Sequence, residues 1–534
     1  MWSLPLDPII FKDLLDQFQD AQVEEPVWDW IEGLRQEQRK LAEALADTSP
    51  LQTEERELWP FQRSDVRAAV LCERMILGHK MGLGKTVIAC QAIKETPVKR
   101  VLIICPDAVK YSWCDHLHDW ANWEEPVVVF ETGGKKLAER RNNGDLVYKG
   151  NRAVREEFLE QMLQAEEQFA IVLNYDQMRL HIDTLAASYY DVIIYDEAHR
   201  LKNSQAQRTQ AAYQLVDRST YLWLLTGTPT RNSWEDVWSL LYMVNPKRFS
   251  SKWNFIKTYL DWQPGIWGGI DIFGPKDQEE FNKALARHII YRTKEEVAPH
   301  LPKKIYSDYR VQFAPGQEKA YQKMEKDFVA LVKQQMEDGQ EIHQILQAPN
   351  TVSQMIRLRQ ICCSPAIIDG EPKSGKLNIM ADLLEDVLQD GPVVIFSCFK
   401  RFLPFIGQIL RKMGVEHGYI TGDYSNQDRA QVAQQLGNGL QVALGTPQAM
   451  GEGLNLDAAH TAIFTDLDWV PAVNEQAEDR IHRITTKQPP NIIRLYHPKT
   501  VEADIRQVLK RKEGIIESSV GQLETLRQML QRRK

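Results

Sequence analysis

Met81-Gly82-Leu83-Gly84-Lys85-Thr86 sets glycines, a lysine and a hydroxyl in the order that cradles phosphate. Glycines let backbone N–H groups approach phosphate oxygens, and a helix opening at Lys85 adds a favourable field. In this reading Lys85 bridges the β- and γ-phosphates of a nucleotide and Thr86 holds Mg²⁺. The apolar run Met75–Leu77 before the loop and Val87-Ile88-Ala89 after it give the required strand–loop–helix order. The full Walker pattern wants glycine where His79 stands, so the match is partial, and a glycine-rich turn without nucleotide has the same look.

A second cluster supports the first. Asp196-Glu197 closes the apolar run Val192–Tyr195, which places both carboxylates at the C-terminal edge of a buried strand, where open α/β sheets bind ligands. Asp196 suits the magnesium shell, and Glu197 suits orienting and deprotonating an attacking water. Thr226-Gly227-Thr228 ends another buried run, Tyr221–Leu225, and can sense a γ-phosphate, although a plain strand-ending turn has the same composition. Far along the chain, Arg480 and Arg483 lie three apart on an expected helix, facing one way, with guanidinium groups suited to charge on a transferring phosphoryl group. Taken alone, such a helix is more often a solvated face. A phosphate loop and arginines at opposite ends of the chain predict an ATP site split between two lobes.

The elements that must position these groups come in two series. Short continuous apolar runs at Met75–Leu77, Val101–Cys105, Ile171–Leu173, Val192–Tyr195 and Tyr221–Leu225 suit strands buried on both faces of a parallel sheet. A second set follows at Val393–Phe396, Val442–Leu444, Thr461–Phe464 and Ile492–Leu495. The expectation is α/β: two tandem RecA-like lobes, each a parallel sheet flanked by helices. The boundaries expected are a helical preface over 1–57, lobe 1 over 58–295 with an aromatic and Pro/Gly-rich insertion near 231–290, and a link with a helical protrusion over 296–372. Lobe 2 spans 373–512, and a basic helix spans 513–534. In the preface, Phe11, Leu14, Leu15 and Phe18 form one stripe, followed by Trp28, Trp30, Ile31 and Leu34.

At 534 residues the chain is too long for one core. It is 43% apolar with no run long enough to span a membrane, and its first residues lack the layout of a signal peptide. Seven cysteines without a CxxC pair argue for reduced thiols in a cytoplasmic setting and against a zinc site. A net charge of −8 means that any nucleic acid must meet local basic surfaces. The stretch holding Lys135, Lys136, Arg140, Arg141, Lys149, Arg152 and Arg155 is one candidate, as are Arg527, Arg532, Arg533 and Lys534; a solvated face is an equal reading of each.

The ordered motifs resemble the Swi/Snf-type double-stranded DNA translocases of helicase superfamily 2, from about Leu58 to about Lys512. They include Pro60-Phe61-Gln62-Arg63, Asp196–Asn203 (DEAHRLKN), Leu224–Asn232 (LLTGTPTRN), Gly453-Leu454-Asn455-Leu456, Asp466-Leu467-Asp468-Trp469 and Gln476–Ile484 (QAEDRIHRI). The Pro-Phe-Gln-Arg segment and the Trp/Gly-rich insertion look most like the compact annealing-helicase (HARP-type) branch and its short phage or bacterial relatives. The resemblance implies ATP and Mg²⁺ as cofactors, with Gln62 on the adenine and His79, Lys80, Met81, Gly82, Leu83, Gly84, Lys85, Thr86 and Gly453 around the nucleotide. His199, Thr226, Gly227, Thr228 and Gln476 would couple hydrolysis to movement. Lys110, Asn174, Lys202, Ser397, Lys400 and Thr446 would grip phosphates of duplex or branched DNA. It further implies a monomer, nucleoid-associated in a bacterial or phage-infected cell. The alternatives are a remodeller of a protein partner, such as a nucleic-acid-bound polymerase, and a strand-separating helicase.

Departures from the family pattern matter too. His79-Lys80 replaces the usual Asp-Glu, which either stabilises phosphate charge or alters coupling. Thr446–Gly451 is an unusual version of the loop that grips DNA, Val470 replaces an Asn, and Thr485-Thr486 replaces Gly-Gln.

Overall fold

The computed structural model describes residues 25–132, 137–140, 144–164, 168–227, 234–264, 270–337, 349–368, 373–451, 454–484, 486 and 488–511. The chain divides into two compact units, Met1–Val297 and Ala298–Lys534.

Among the described residues, unit 1 is built on a nine-stranded sheet. Its strands are β1 (Arg74–Leu77), β2 (Arg100–Cys105), β3 (Val127–Thr132), β4 (Leu137–Arg140), β5 (Leu146–Gly150), β6 (Phe169–Asn174), β7 (Tyr190–Asp196), β8 (Ser219–Leu225) and β11 (Ile289–Ile290). Their order is β11-β1-β8-β7-β2-β6-β3-β5-β4, parallel except for β4 against β5. Leu102, Ile104, Ile171, Leu173, Ile193, Leu222 and Leu224 are fully buried, as continuous β-branched and leucine runs require when helices cover both faces. A separate hairpin pairs β9 (Leu260–Pro264) with β10 (Ile270–Pro275).

Unit 2 carries a six-stranded parallel sheet in the order β12-β17-β16-β13-β15-β14. These strands are β12 (Ile305–Arg310), β13 (Val393–Phe396), β14 (His417–Ile420), β15 (Val442–Gly445), β16 (Thr461–Phe464) and β17 (Asn491–Tyr496). β13, β15 and β16 are buried along their whole length. β15 ends on Gly445, where a Cβ would sit 2.3 Å from the Ile420 carbonyl, so only glycine fits as the chain turns into Thr446.

Several expectations are corrected. The 231–290 stretch, expected as an insertion and hinge rather than part of a sheet, contributes to the core and sheet of unit 1. Val237, Leu240 and Leu241 of the helix Asp236–Val244 lie in the main core of unit 1, and β11 pairs with β1 through Ile76–Ile289 and Leu77–Ile290. The helix Gln317–Glu337 is not simply a projecting arm, because Tyr321 and Phe328 are buried with Met355, Leu358, Trp469 and Val501. The link region holds a strand, β12, and the basic stretch around 135–155 holds the β4–β5 hairpin. The preface includes a helix, Glu25–Ala46, packed on the helix Pro60–Cys72, where Arg67 donates to the Asp47 and Ser49 carbonyls. The Phe11–Phe18 stripe and the C-terminal basic residues lie outside the described residues.

A buried ion pair ties unit 2 together. Lys376 is fully buried; its Nζ lies 2.5 Å from Glu502 Oε1 and also donates to the Thr465 carbonyl. Breaking such a pair strands a buried charge, so Lys376→Ala costs about 3–5 kcal/mol. Denaturant unfolding checks this, and a midpoint equal to wild type would show the pair to be dispensable.

A candidate nucleotide site and its coupling elements

Strand order brings the chemical groups together. β1, β8 and β7 are adjacent and parallel, with Leu77 opposite Leu225 and Leu225 opposite Asp196. Three loops therefore leave the sheet side by side at its C-terminal edge, where ligands bind in open α/β folds. Thr226, fully buried, donates its N–H to the Leu77 carbonyl at 3.0 Å. A Cβ on Gly227 would lie 3.1 Å from Met81 Cγ and 3.9 Å from Lys85 Nζ, so the end of β8 abuts the phosphate loop.

Within that loop Gly82 and Gly84 have φ of 79° and 76°, the left-handed region that favours glycine. The helix Lys85–Lys94 starts at Gly84 without a side-chain cap. Uncapped N–H groups at a helix start suit an anion. The Lys85 ammonium donates to the His79 carbonyl at 2.9 Å. Gln62 is buried and grips the loop: its Nε2 donates to the Leu83 carbonyl at 3.2 Å while its Oε1 accepts from Trp59 N–H. Its side-chain amide is thus engaged by the protein itself. The His79 ring is fully buried and faces Asp65, so it offers phosphate nothing; its carbonyl is what meets Lys85.

The acidic pair is held from several sides. Trp113 Nε1 donates to Asp196 Oδ2 at 2.9 Å, Tyr175 donates its hydroxyl to the Asp196 carbonyl, and Glu197 N–H donates to Asp196 Oδ1. Burial, and then the neighbouring Glu197 charge, push the Asp196 carboxyl above the usual carboxylate range. A hard cation would reverse that push, and the oxygen donors of Asp196 and Thr86 fit magnesium. Glu197 sits at φ 52°, a conformation uncommon outside glycine, which turns its carboxylate away from the strand direction and toward His199, 3.2 Å away at Nδ1. Trp113, which follows Val101–Pro106 as part of the family resemblance, and Tyr175, which directly follows β6, were not among the expected site residues.

In unit 2, the helix Pro471–Glu478 ends before the two arginines. Arg480 and Arg483 therefore lie in the turns that follow it, not on one helical face. They still converge, since both donate to the Leu454 carbonyl, at 3.4 and 2.9 Å. Burial and the Arg480 charge bring Arg483 down to about 10. Gln476 Nε2 and Arg480 Nη2 both donate to the Gly451 carbonyl, so the Thr446–Gly451 segment is held by one residue expected to couple hydrolysis to movement and one expected to meet phosphoryl charge. Thr446 caps the short helix Pro447–Met450 by accepting from Ala449 N–H. Gly453, Thr228 and Thr485 lie outside the described residues.

Two of the expected DNA grips are structural. Lys110 is buried, donating to the Phe130 carbonyl and pairing with Asp107. Ser397 is fully buried and donates to Asp466 at 2.7 Å. Arg155 of the basic stretch is also buried, donating to the Glu131 carbonyl. Asn174 caps the helix Tyr175–Leu180 and donates to Asp107, and Lys202 pairs with Asp236. Lys400, more than half exposed, pairs with Asp423 across the surface. A lysine reads alike in sequence whether its ammonium faces solvent or a carbonyl.

Two parallel α/β units, the first with a phosphate loop and an acidic pair on neighbouring strand ends, define the class of two-lobed RecA-like proteins. The chain belongs to the SNF2-related family: the SNF2-related domain matches residues 61–367, and a helicase conserved C-terminal domain matches residues 375–485. An uncharacterized ATP-dependent helicase of Mycoplasma genitalium is 25% identical over 83% of this chain and 40% of its own length. The zebrafish (Danio rerio) chromodomain-helicase-DNA-binding protein 1-like is 28% identical over 83% of this chain and 42% of its own. The chain thus spans less than half the length of these relatives. A solved structure, the Sulfolobus solfataricus SWI2/SNF2 ATPase core in complex with dsDNA, aligns over 91% of this chain and 98% of that chain with TM-score 0.40 and 22% identity.

Proposed function

We propose that this chain is an ATP-driven motor that moves on double-stranded or branched DNA and remodels DNA or DNA–protein complexes. The observation that carries the reading is the convergence of Lys85, Thr86, Asp196, Glu197 and Thr226 at one sheet edge through the β1-β8-β7 order. Lys85 leaves the His79 carbonyl to meet the β- and γ-phosphates. Thr86 and Asp196 would hold Mg²⁺, which would supply charge neutralisation at the phosphates. Trp113 keeps the Asp196 carboxylate oriented. Glu197 takes a proton from the attacking water, with His199 beside it to receive the change in charge. In unit 2, Arg480 and Arg483 share the Leu454 carbonyl, and Arg480, with Gln476, also holds the Gly451 carbonyl, so guanidinium groups suited to phosphoryl charge are tied to the Thr446–Gly451 segment.

Phosphate contacts position a duplex without reading it, so binding is sequence-tolerant and weakens steeply with salt. With Lys110 and Ser397 buried, Asn174, Lys202, Lys400 and Thr446 remain the candidate contacts. The family match and the helicase and DNA-binding names of the relatives support DNA as the track. The narrower HARP-type affinity rests on the Pro-Phe-Gln-Arg segment and the Trp/Gly-rich stretch alone.

The test is ATP hydrolysis without nucleic acid, then with single-stranded, duplex and forked DNA and with duplex RNA, at one salt concentration. Strong stimulation by duplex or forked DNA is the expected result. A high rate indifferent to every nucleic acid would overturn the DNA reading and favour a protein partner.

A further inference from the structure

The helix Pro60–Cys72 carries Asp65, a fully buried carboxylate held between an imidazole and a guanidinium. His79 Nε2 lies 2.9 Å from its Oδ2, and Arg292 Nη2 donates to its Oδ1 at 2.8 Å. His79 opens the approach to the phosphate loop, and its carbonyl receives the Lys85 ammonium. The main chain follows the same line: Gly78 N–H donates to the Ile290 carbonyl at 2.8 Å and Lys80 N–H to the Arg292 carbonyl at 3.0 Å. Arg292 is therefore bonded to the start of the loop by its backbone and, through Asp65, by its side chain. It stands just before the end of unit 1 at Val297.

The charges allow one economical assignment. A buried carboxylate needs a full positive partner, and Arg292 supplies it in a fork that donates twice or more to Asp65. The His79 Nδ1 atom is buried without a hydrogen-bond partner, which fits a neutral ring donating from Nε2. Burial, the largest influence on the ring, also opposes its protonation. Asp65 thus fixes a neutral His79 in place, and with it the carbonyl on which Lys85 rests.

We propose that Asp65 and Arg292 are positioning residues that tie the phosphate loop to the segment leaving unit 1, so that nucleotide arrival at Lys85 is felt at Arg292–Val297. This rests on the ATP reading above. When Lys85 leaves for the phosphates, the His79 carbonyl loses its donor, and the strain passes through Asp65 and the Lys80–Arg292 backbone bond. The segment continues directly into unit 2, so the same linkage sets how strongly nucleotide state biases the connector.

The experiment is equilibrium titration of a fluorescent ATP analogue into wild type, Arg292→Ala, Arg292→Lys, Asp65→Asn and the Asp65→Asn/Arg292→Ala double variant, with Tm recorded for each. Hydrogen exchange of the 288–297 peptide is followed with and without the analogue. Arg292→Ala is expected to bind roughly tenfold more weakly. Arg292→Lys should fall between it and wild type, keeping charge without the fork. The double variant should be no weaker than the poorer single one, because both residues act through one network. The analogue should change exchange of the 288–297 peptide in wild type and not in Arg292→Ala. A folded Arg292→Ala that binds within twofold of wild type, or keeps the nucleotide-dependent exchange, overturns the inference even if its Tm has dropped. Should the alanine variant not fold, Arg292→Lys carries the same comparison. Failure of wild type to bind the analogue would instead overturn the ATP reading itself.

Discussion

Lys85→Ala should lower ATP hydrolysis by roughly a thousandfold or more while leaving DNA binding nearly intact. The ammonium is the loop's point charge for the β- and γ-phosphates, and a preorganised charge aimed at developing phosphoryl charge accounts for a factor of roughly a hundred to a thousand by itself. The structural cost of its removal is small. Lys85 is the first residue of the helix Lys85–Lys94, alanine is a strong helix former, and the substitution removes the bond to the His79 carbonyl without deleting a buried apolar group. The candidate DNA contacts Asn174, Lys202, Lys400 and Thr446 lie on other elements. Phosphate-release kinetics beside a DNA-binding isotherm give the two readouts. Normal turnover in this variant would remove the phosphate loop from the site.

Glu197→Gln should separate binding from chemistry. The amide preserves the size of the side chain and its place after β7, but it cannot take a proton from water, and general-base loss slows turnover by roughly a hundred- to ten-thousandfold. Nucleotide affinity should stay near wild type, because Lys85, Thr86 and Asp196 are untouched. Removing one of two adjacent carboxylates also relieves the repulsion that raises Asp196, which favours the cation-binding form of that residue. Equilibrium binding and single-turnover hydrolysis distinguish the outcomes: weak binding would make Glu197 a ligand-shaping residue, and wild-type turnover would remove it as the base.

The buried strands were legible because their burial leaves a direct trace in composition. Runs such as Val101–Cys105 and Thr461–Phe464 lie between two layers of helix, so all but the leading Thr461 are apolar and the strand limits nearly coincide with the runs. β12 left no such trace. Ile305–Arg310 lies at a sheet edge with most side chains exposed, so Ser307, Asp308 and Arg310 are as acceptable there as apolar residues, and only its pairing with β17 makes it a strand. β14, also at an edge, is only partly buried and escaped for the same reason.

The reactive groups divide along the same line. Local order along the chain was enough to place a glycine turn and helix start at Met81–Thr86 and a strand end at Asp196-Glu197, because these are properties of neighbouring residues. Tertiary structure alone decided what those groups touch. It set Trp113 on Asp196, Lys85 on the His79 carbonyl and Gln476 with Arg480 on the Gly451 carbonyl. It turned Lys110 and Ser397 inward, and it joined Asp65 to Arg292 across 227 residues of chain. A side chain's chemistry is written in its type, but its charge state and its partner depend on which strands pair, and pairing at a distance is settled by the packing of the whole unit.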